Sequence, residues 1–389
     1  MWNNDVEKGE IMSTFAEESI MAYFATVADP RSGQNVSHPL INIITIAILA
    51  VLCGADGWVD VEQYGIAKQE WLSTFLELKK GIPSHDTLGR VFSWIDPDEF
   101  QAKFIEWTQH ICQKSGGELV SFDGKKLRRS NDRSHDKDGI WMVSAWMEDN
   151  RMVLGQQKVD EKSNEMTAIP KLLAQLDITG CVVTIDAIGT QTEIAKAIVE
   201  AKADYILAVK KNQKALFEDL STLFDGFELD EYQGVDFDSY KQVNQSHDRT
   251  EIRHCWVVSH PDYLNYLRRM NRWIGLKSVV KLLTVRQSGD KTQITYRYFI
   301  SSWKGTAKEF LGYIRGHWHI ENGLHWVLDI AFREDESRIR NQHAPQNMAV
   351  LRHLALNLLK QNQSVKVGIA AKRKRAGWDN DFLLKSLCF

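Results

Sequence analysis

No stretch of this 389-residue chain is long and apolar enough to cross a bilayer. The most apolar run, Leu40 to Gly54, contains Asn42 and Thr45 and falls short of the roughly 20 residues that a spanning helix needs. It reads as a buried core helix, and no membrane partner is expected. A secretory leader is not expected either, because Asp5, Glu7 and Glu10 precede any apolar stretch. Cysteine is sparse. Cys53, Cys112, Cys181, Cys255 and Cys388 lie far apart with no C-x-x-C pair, which excludes a disulfide framework and a thiolate zinc site. Buried thiols in a reduced, cytoplasmic protein fit that spacing. A strong charge of one sign is also missing: the net charge is −3.

The charge that is present is unevenly distributed, and distribution matters more than the total for a polyanionic partner. Phe217 to Asp238 is acidic. Basic residues gather at Lys125, Lys126, Arg128, Arg129 and Arg133, at Arg268, Arg269, Arg272, Lys277 and Lys281, and at Lys372, Arg373, Lys374 and Arg375. Each cluster reads equally well as a solvated face. Length alone makes two or three structural units the expectation.

Residues 1–116 read as mostly helical, with buried faces marked by Ile46, Ala50 and Cys53 and by Trp71 and Phe75. Pro83 punctuates a helix start that Ser84 or Asp86 can cap, and a second helix follows Asp96-Pro97-Asp98. The pair reads either as a DNA-reading helix-turn-helix with Arg90 outward or as an ordinary helical hairpin. From residue 117 strands and helices alternate. Leu119 to Asp123 is a short strand ending on a carboxylate, and Trp141–Met147 and Arg151–Val159 form a meander with it. A helix over 164–176 leads to the strand Cys181–Ile185, which ends at Asp186. A helix over 192–202 and a strand over 205–209 follow. The order β-β-β-α-β-α-β is the ribonuclease H-like layout, in which strand ends hold the ligands.

Residues 213–301 read as a mainly β insertion, with strands at 252–259, 278–286 and 293–301. The α/β core resumes over 302–361, and 362–389 forms a basic tail. Within the resumed part, Trp318, Glu321, His325 and Leu328 share one helical face. A carboxylate on an apolar stripe is costly to bury unless a cation neutralises it, whereas a Glu at the stripe's edge faces solvent freely. His317, His319 and His325 lack the spacing and the fourth partner of a zinc site. Aspartates at strand ends are often mere caps. Taken together, however, Asp123, Asp186 and Glu321 suit phosphodiester chemistry, in which two divalent ions about 3.5–4 Å apart activate the attacking oxygen and steady the leaving one. Mg²⁺ or Mn²⁺, with hard oxygen ligands, fits such a set.

The chain resembles the H-repeat-associated insertion-sequence transposases of the DDE superfamily over nearly its whole length. The resemblance rests on Asp29-Pro30-Arg31, His38-Pro39-Leu40, Gly81 to Thr87, Asp123-Gly124-Lys125, Val143 to Trp146 and Leu154-Gly155-Gln156. It continues in Glu161 to Glu165, Thr184 to Ala187, Lys210 with Asn212-Gln213, and His317 to Trp326. It implies that Asp123, Asp186 and Glu321 are the catalytic, metal-binding acids of a DNA transposase. It also implies DNA as partner, a homodimer on DNA, and action in the cytoplasm at the nucleoid. Related proteins often place Tyr, Arg and Lys around the glutamate. Here Ile314, His317 and Leu328 stand at those spacings, with Tyr313 one residue out of place. Phosphate contacts are therefore expected from Lys125, Lys126, Arg128, Arg129, Lys210, Arg90, His317 and His325. A metal-dependent nuclease without strand transfer and an inactive DNA-binding remnant are the alternatives.

Overall fold

A computed structural model describes residues 19–32, 36–112, 116–131, 138–160, 164–246 and 249–387. Asp5, Glu7, Glu10, Arg133, Glu161, Lys162, Ser163 and Cys388 lie outside them. The first helices are α1 (Ile20–Phe24), α2 (Leu40–Leu52), α3 (Trp58–Ala67), α4 (Gln69–Leu72), α5 (His85–Trp94) and α6 (Pro97–Ile111). Every residue from Asn42 to Leu52 is buried, so α2 is apolar all round because it is surrounded, as its composition suggests. None of the described helices is long and apolar enough to cross a membrane. Ser84 caps α5 by accepting the Thr87 amide, and Asp96 caps α6, which starts on Pro97. The buried side of α6, with Phe100, Phe104 and Ile105, is packed into the core.

The sheet follows. Its elements are β1 (Leu119–Lys126), β2 (Trp141–Met147), β3 (Met152–Lys158), α7 (Glu165–Leu173), β4 (Val182–Ile185), α8 (Thr192–Glu200), β5 (Asp204–Val209), α9 (Lys214–Leu229), β6 (Phe237–Ser246), β7 (Arg249–Val258), α10 (Pro261–Leu264), β8 (Ser278–Ser288) and β9 (Lys291–Ser301). After it come α11 (Ala307–Gly316), α12 (Trp326–Phe332), α13 (Ala344–Gln361), α14 (Ile369–Trp378) and α15 (Asn380–Lys385). The strands form one sheet in the order β3-β2-β1-β4-β5-β9-β8-β7-β6. β1–β4 and β4–β5 pair in parallel, and the other pairs are antiparallel.

Three details add to the sequence reading here. The segment 213–301 is continuous with the sheet, because β9 pairs directly with β5. It also opens with a helix, α9, inside the acidic stretch: Leu216, Leu220, Phe224 and Phe227 recur at helical spacing and are buried, while the acids face outward. Its strand β6 is polar and exposed, as a sheet edge that must not recruit another strand should be. The basic tail is not free either. Lys372 and Arg373 on α14 are buried and donate to the carbonyls of Leu359 and Asn362 and of Val51 and Ala55.

Alternate strand residues divide between two cores. Val182, Ile206, Phe299, Val280 and Val257 meet Phe310 and Ile314 of α11. Their neighbours Val183, Leu207, Ile300, Val279 and Val258 join the main core with α8 and α9. α13 is buried along almost its whole length and packs against α2, α5, α6 and the edge strand β3. Asn357 of α13 accepts the Val153 amide at 2.9 Å and donates to the Val153 carbonyl at 2.8 Å, completing that edge. Replacing Asn357 by Ala strands both backbone groups in a dry interior, where each unpaired group costs about 1–3 kcal/mol. Asn357→Ala is therefore expected to lower stability by about 2–4 kcal/mol in urea unfolding. An unchanged midpoint would show that the pairing adds nothing.

Candidate active site

Alternation along a strand decides which side chains meet. Asp123 and Ser121 of β1, Thr184 of β4 and, just past its end, Asp186 point to the α11 side of the sheet, and Ala208 and Lys210 follow on β5. Because β1 and β4 are adjacent and parallel, both acids come to the same sheet end. A cavity of about 260 Å³ opens there, lined by Asp123, Asp186, Lys210, Arg297, His317 and Glu321 among others. Asp186 also caps a single helical turn by accepting the Ile188 amide at 2.9 Å. Cap and cavity wall are compatible roles for one carboxylate.

Glu321 arrives from beyond α11. The helix expected over 317–329 is interrupted: Glu321–His325 is a turn of π-helix, with the Trp326 amide bonded to the Glu321 carbonyl five residues back. The extra residue breaks the expected stripe. Trp318 is 58% exposed, whereas His325 and Leu328 are buried. The wide turn brings His325 against the acids, with Nδ1 3.1 Å from Glu321 Oε2 and 3.5 Å from Asp123 Oδ2. Ionised carboxylates only accept, so Nδ1–H donates, and the buried Nε2 has no partner. Asp123, Glu321 and His325 present ligand atoms within 4.8 Å of one another, a donor set able to hold a divalent cation.

A fourth acid joins them that the residue-by-residue reading did not single out. Glu165 is the first residue of α7, behind the cap Asn164, where a carboxylate suits the helix start. It fits because residue 124 is glycine: a Cβ there would lie 2.1 Å from Glu165 Oε1. Burial, then the charges of Asp123 and Asp186, push the Glu165 carboxyl up to about 7. Burial likewise raises Asp123, with Asp186 and Glu321 adding to the rise and His325 and the Gly124 amide opposing it.

The residues expected to contact phosphate separate into three groups. Lys210 is exposed on the cavity wall. Arg90, Arg128 and Arg129 are exposed away from that wall, Arg128 paired with Asp335 at 3.1 Å, and Lys126 lies over the Trp141 ring. Lys125, His317 and His325 are drawn inward. Lys125 is bonded to Asp329 and lies 3.0 Å from Glu334, which also faces Arg352 at 3.8 Å. Burial works against both charges of the Lys125–Glu334 pair, but Glu334 and Asp329 together hold Lys125 above its ordinary value, and Lys125, Arg352 and His353 together hold Glu334 below. His317 bonds Thr184 Oγ1 at 3.0 Å, and burial holds its pKa down to about 4. It is neutral near pH 7 and offers no cation to a phosphate. His325 is spent on Glu321 and Asp123.

Comparison with known proteins adds independent findings. Residues 95–358 match the family described as "Transposase DDE domain", and residues 21–108 match one described as "DDE_Tnp_1-associated". "Putative transposase YncI" of Escherichia coli O157:H7 is 40% identical, over 94% of this chain and 93% of its own. "H repeat-associated putative transposase YhhI" of Escherichia coli K12 is 37% identical, over 95% of this chain and 98% of its own. Among solved structures, a piggyBac transposase synaptic complex with hairpin DNA aligns with 93% of this chain and 76% of its own, at 11% identity and a TM-score of 0.41.

Two outcomes follow from the geometry. Lys125→Met leaves Asp329 and buried Glu334 short of their cation and is expected to cost about 3 kcal/mol in urea unfolding. A cost near zero would mean that Arg352 alone suffices. Glu165, with a folded pKa of about 7 above the ordinary 4.5, favours the folded state while protonated. That contribution is lost as pH rises through about 7, so the thermal midpoint of metal-free protein should fall between about pH 5 and 8. Glu165→Gln should lessen the fall and raise the midpoint at pH 8. Parallel curves for the two proteins would refute the crowding.

Proposed function

The chain belongs to the transposase DDE domain family, and from that premise we propose that it cuts phosphodiester bonds at the ends of an insertion sequence and joins the freed 3′-hydroxyl to target DNA. The observation that carries this reading is the convergence of Asp123, Asp186 and Glu321 on one cavity from three separate elements. The strand order β3-β2-β1-β4-β5, with β1 and β4 parallel, supports reading this part of the sheet as a ribonuclease H-like core.

Divalent ions, Mg²⁺ or Mn²⁺ as a pair, would supply a nucleophile at neutral pH and compensate charge on the scissile phosphate. Asp123, Asp186 and Glu321 are the proposed holders. Asp123 lies within β1, paired with Ser144 of β2 and one residue past the last pairing with β4, so the sheet fixes its backbone. His325 keeps Glu321 and Asp123 near one another, and Lys210 stands where a phosphate on the cavity wall would meet a cation. Transposition joins two DNA ends, and two copies of the chain on DNA fit that task.

The test is cleavage of linear DNA carrying the sequence that flanks this gene, with Mg²⁺ or Mn²⁺ and a plasmid target. The parent should give cut and joined products. Asp123→Ala, Asp186→Ala and Glu321→Ala should each lose about a hundred- to a thousandfold, as loss of a group that stabilises transition-state charge does. Variants that cut as well as the parent would overturn the site assignment. Cutting without joining would favour a nuclease of the same architecture.

A further inference from the structure

The alternation that carries Asp123 and Asp186 to the α11 side continues across the sheet. On β9, β8 and β7 the same side presents Arg297, Arg286 and Arg253, beyond the end of α11's apolar cover. Arg315 at the end of α11 closes the other bank. These four arginines, with Thr284, Thr295 and Trp318, line a groove of about 460 Å³. Arg297 and Trp318 also line the carboxylate cavity, so the two depressions share a wall and run into one another.

The groove's positive charge is poorly compensated. Glu251 lies among these arginines and is already shared by Arg249, Arg253 and Arg286 at 3.2, 2.6 and 2.8 Å, and Asp238 on the same face accepts the Ala307 amide. Glu148 is engaged by His319 and by the Trp146 indole. Arg315 donates to the neutral Gln242. Arg297 has no ion pair among the described residues, and its buried Nε lacks a hydrogen-bond partner. Burial, then the neighbouring Arg286 and Arg253, hold it below the ordinary arginine value. A guanidinium kept charged in such surroundings is most simply satisfied by an anion from outside. Four guanidinium groups set singly along one groove match a polyanion with repeated charges. Trp318, 58% exposed at the junction, adds a flat ring against which a base can stack.

We infer that the groove formed by Arg253, Arg286, Arg297 and Arg315 binds the DNA strand flanking the scissile bond, phosphates on the arginines and a base on Trp318. The inference rests on the reading of the carboxylate cavity as the cutting site, and it assigns the phosphate contacts to the sheet extension. None of these arginines stands out in sequence, because they are scattered singly over four elements.

The test measures binding, separately from cutting. Fluorescence anisotropy of a labelled duplex carrying the flanking sequence is followed against NaCl in EDTA. The proteins are the parent chain, Arg286→Ala, Arg315→Ala, the double variant, and, as control, Lys374→Ala at an exposed position of α14. The double variant should bind about tenfold more weakly or worse, and each groove arginine removed should reduce the slope of log K against log salt by about 1. Lys374→Ala should match the parent. Arg315 makes no contact with Glu251, so its variant carries the test even if Arg286→Ala disturbs the ion cluster. Groove variants that bind like the parent, or a control that loses as much, would overturn the inference. Metal-dependent cutting by the parent is scored on the same DNA. Groove-dependent binding without any cutting would uphold the groove and sink the cutting reading, and cutting with groove-independent binding would do the reverse.

Discussion

Carboxylates brought to one sheet end repel one another, and the rest of the site is arranged around holding Asp123, Asp186, Glu321 and Glu165 together. Three devices oppose the repulsion. His325 donates between Glu321 and Asp123 from a buried position. The amides of Gly124 and Ile188 donate to Asp123 and Asp186. The pKa of Glu165 rises to about 7, so the group carries only part of its charge near neutrality. A cation would do the same work more completely, which is why this crowd is tolerable in a protein that binds one and costly in a protein that does not.

The Lys125 cluster sets the position of this assembly. It fastens the end of β1, one residue past Gly124, to α12 through Asp329, to the turn after α12 through Glu334, and to α13 through Arg352. The strand that carries Asp123 and the segment that carries Glu321 are thereby locked at a fixed separation. A buried ion cluster gives little net stability, but it fixes register when removing one member leaves another uncompensated. Lys125 serves the site from behind and is not a surface hook for DNA.

Much of this was legible in the sequence where a local pattern and a chemical group coincide. Apolar runs leading to Asp123 and Asp186 marked β1 and β4, although β1 runs three residues past Asp123 to Lys126, and Leu40 to Leu52 announced a surrounded helix. Glu321 was ambiguous because the spacing of Trp318, Glu321, His325 and Leu328 suits one α-helical stripe, and the π-turn that breaks that stripe leaves no mark in the spacing. Glu165 was hidden by a sufficient ordinary explanation, a helix start behind Asn164. The reason it matters lies at Gly124, which touches it only in three dimensions. Helix α9 was obscured by the acids on its outer face, and β6 by the polarity an edge strand needs. The arginine groove was invisible for a further reason: strand alternation places Arg253, Arg286 and Arg297 on one face only once the pairing of β7, β8 and β9 is known.

One feature of the packing bears on how the chain is made. α2 and α13 are the two most enclosed helices, and α13 reaches back so far that Asn347 bonds the carbonyl of Phe92 across 255 positions of sequence. A ribosome delivers α2 long before α13 emerges. Until then the apolar surface of α2 lacks its principal partner, and the edge strand β3 lacks Asn357. Folding of the helical region is thus deferred to the end of synthesis, and nascent chains interrupted before α13 carry an exposed apolar helix that quality-control proteases and chaperones recognise. A frameshift upstream of α13 deletes the helix that covers α2, so the truncated chain keeps that apolar surface uncovered.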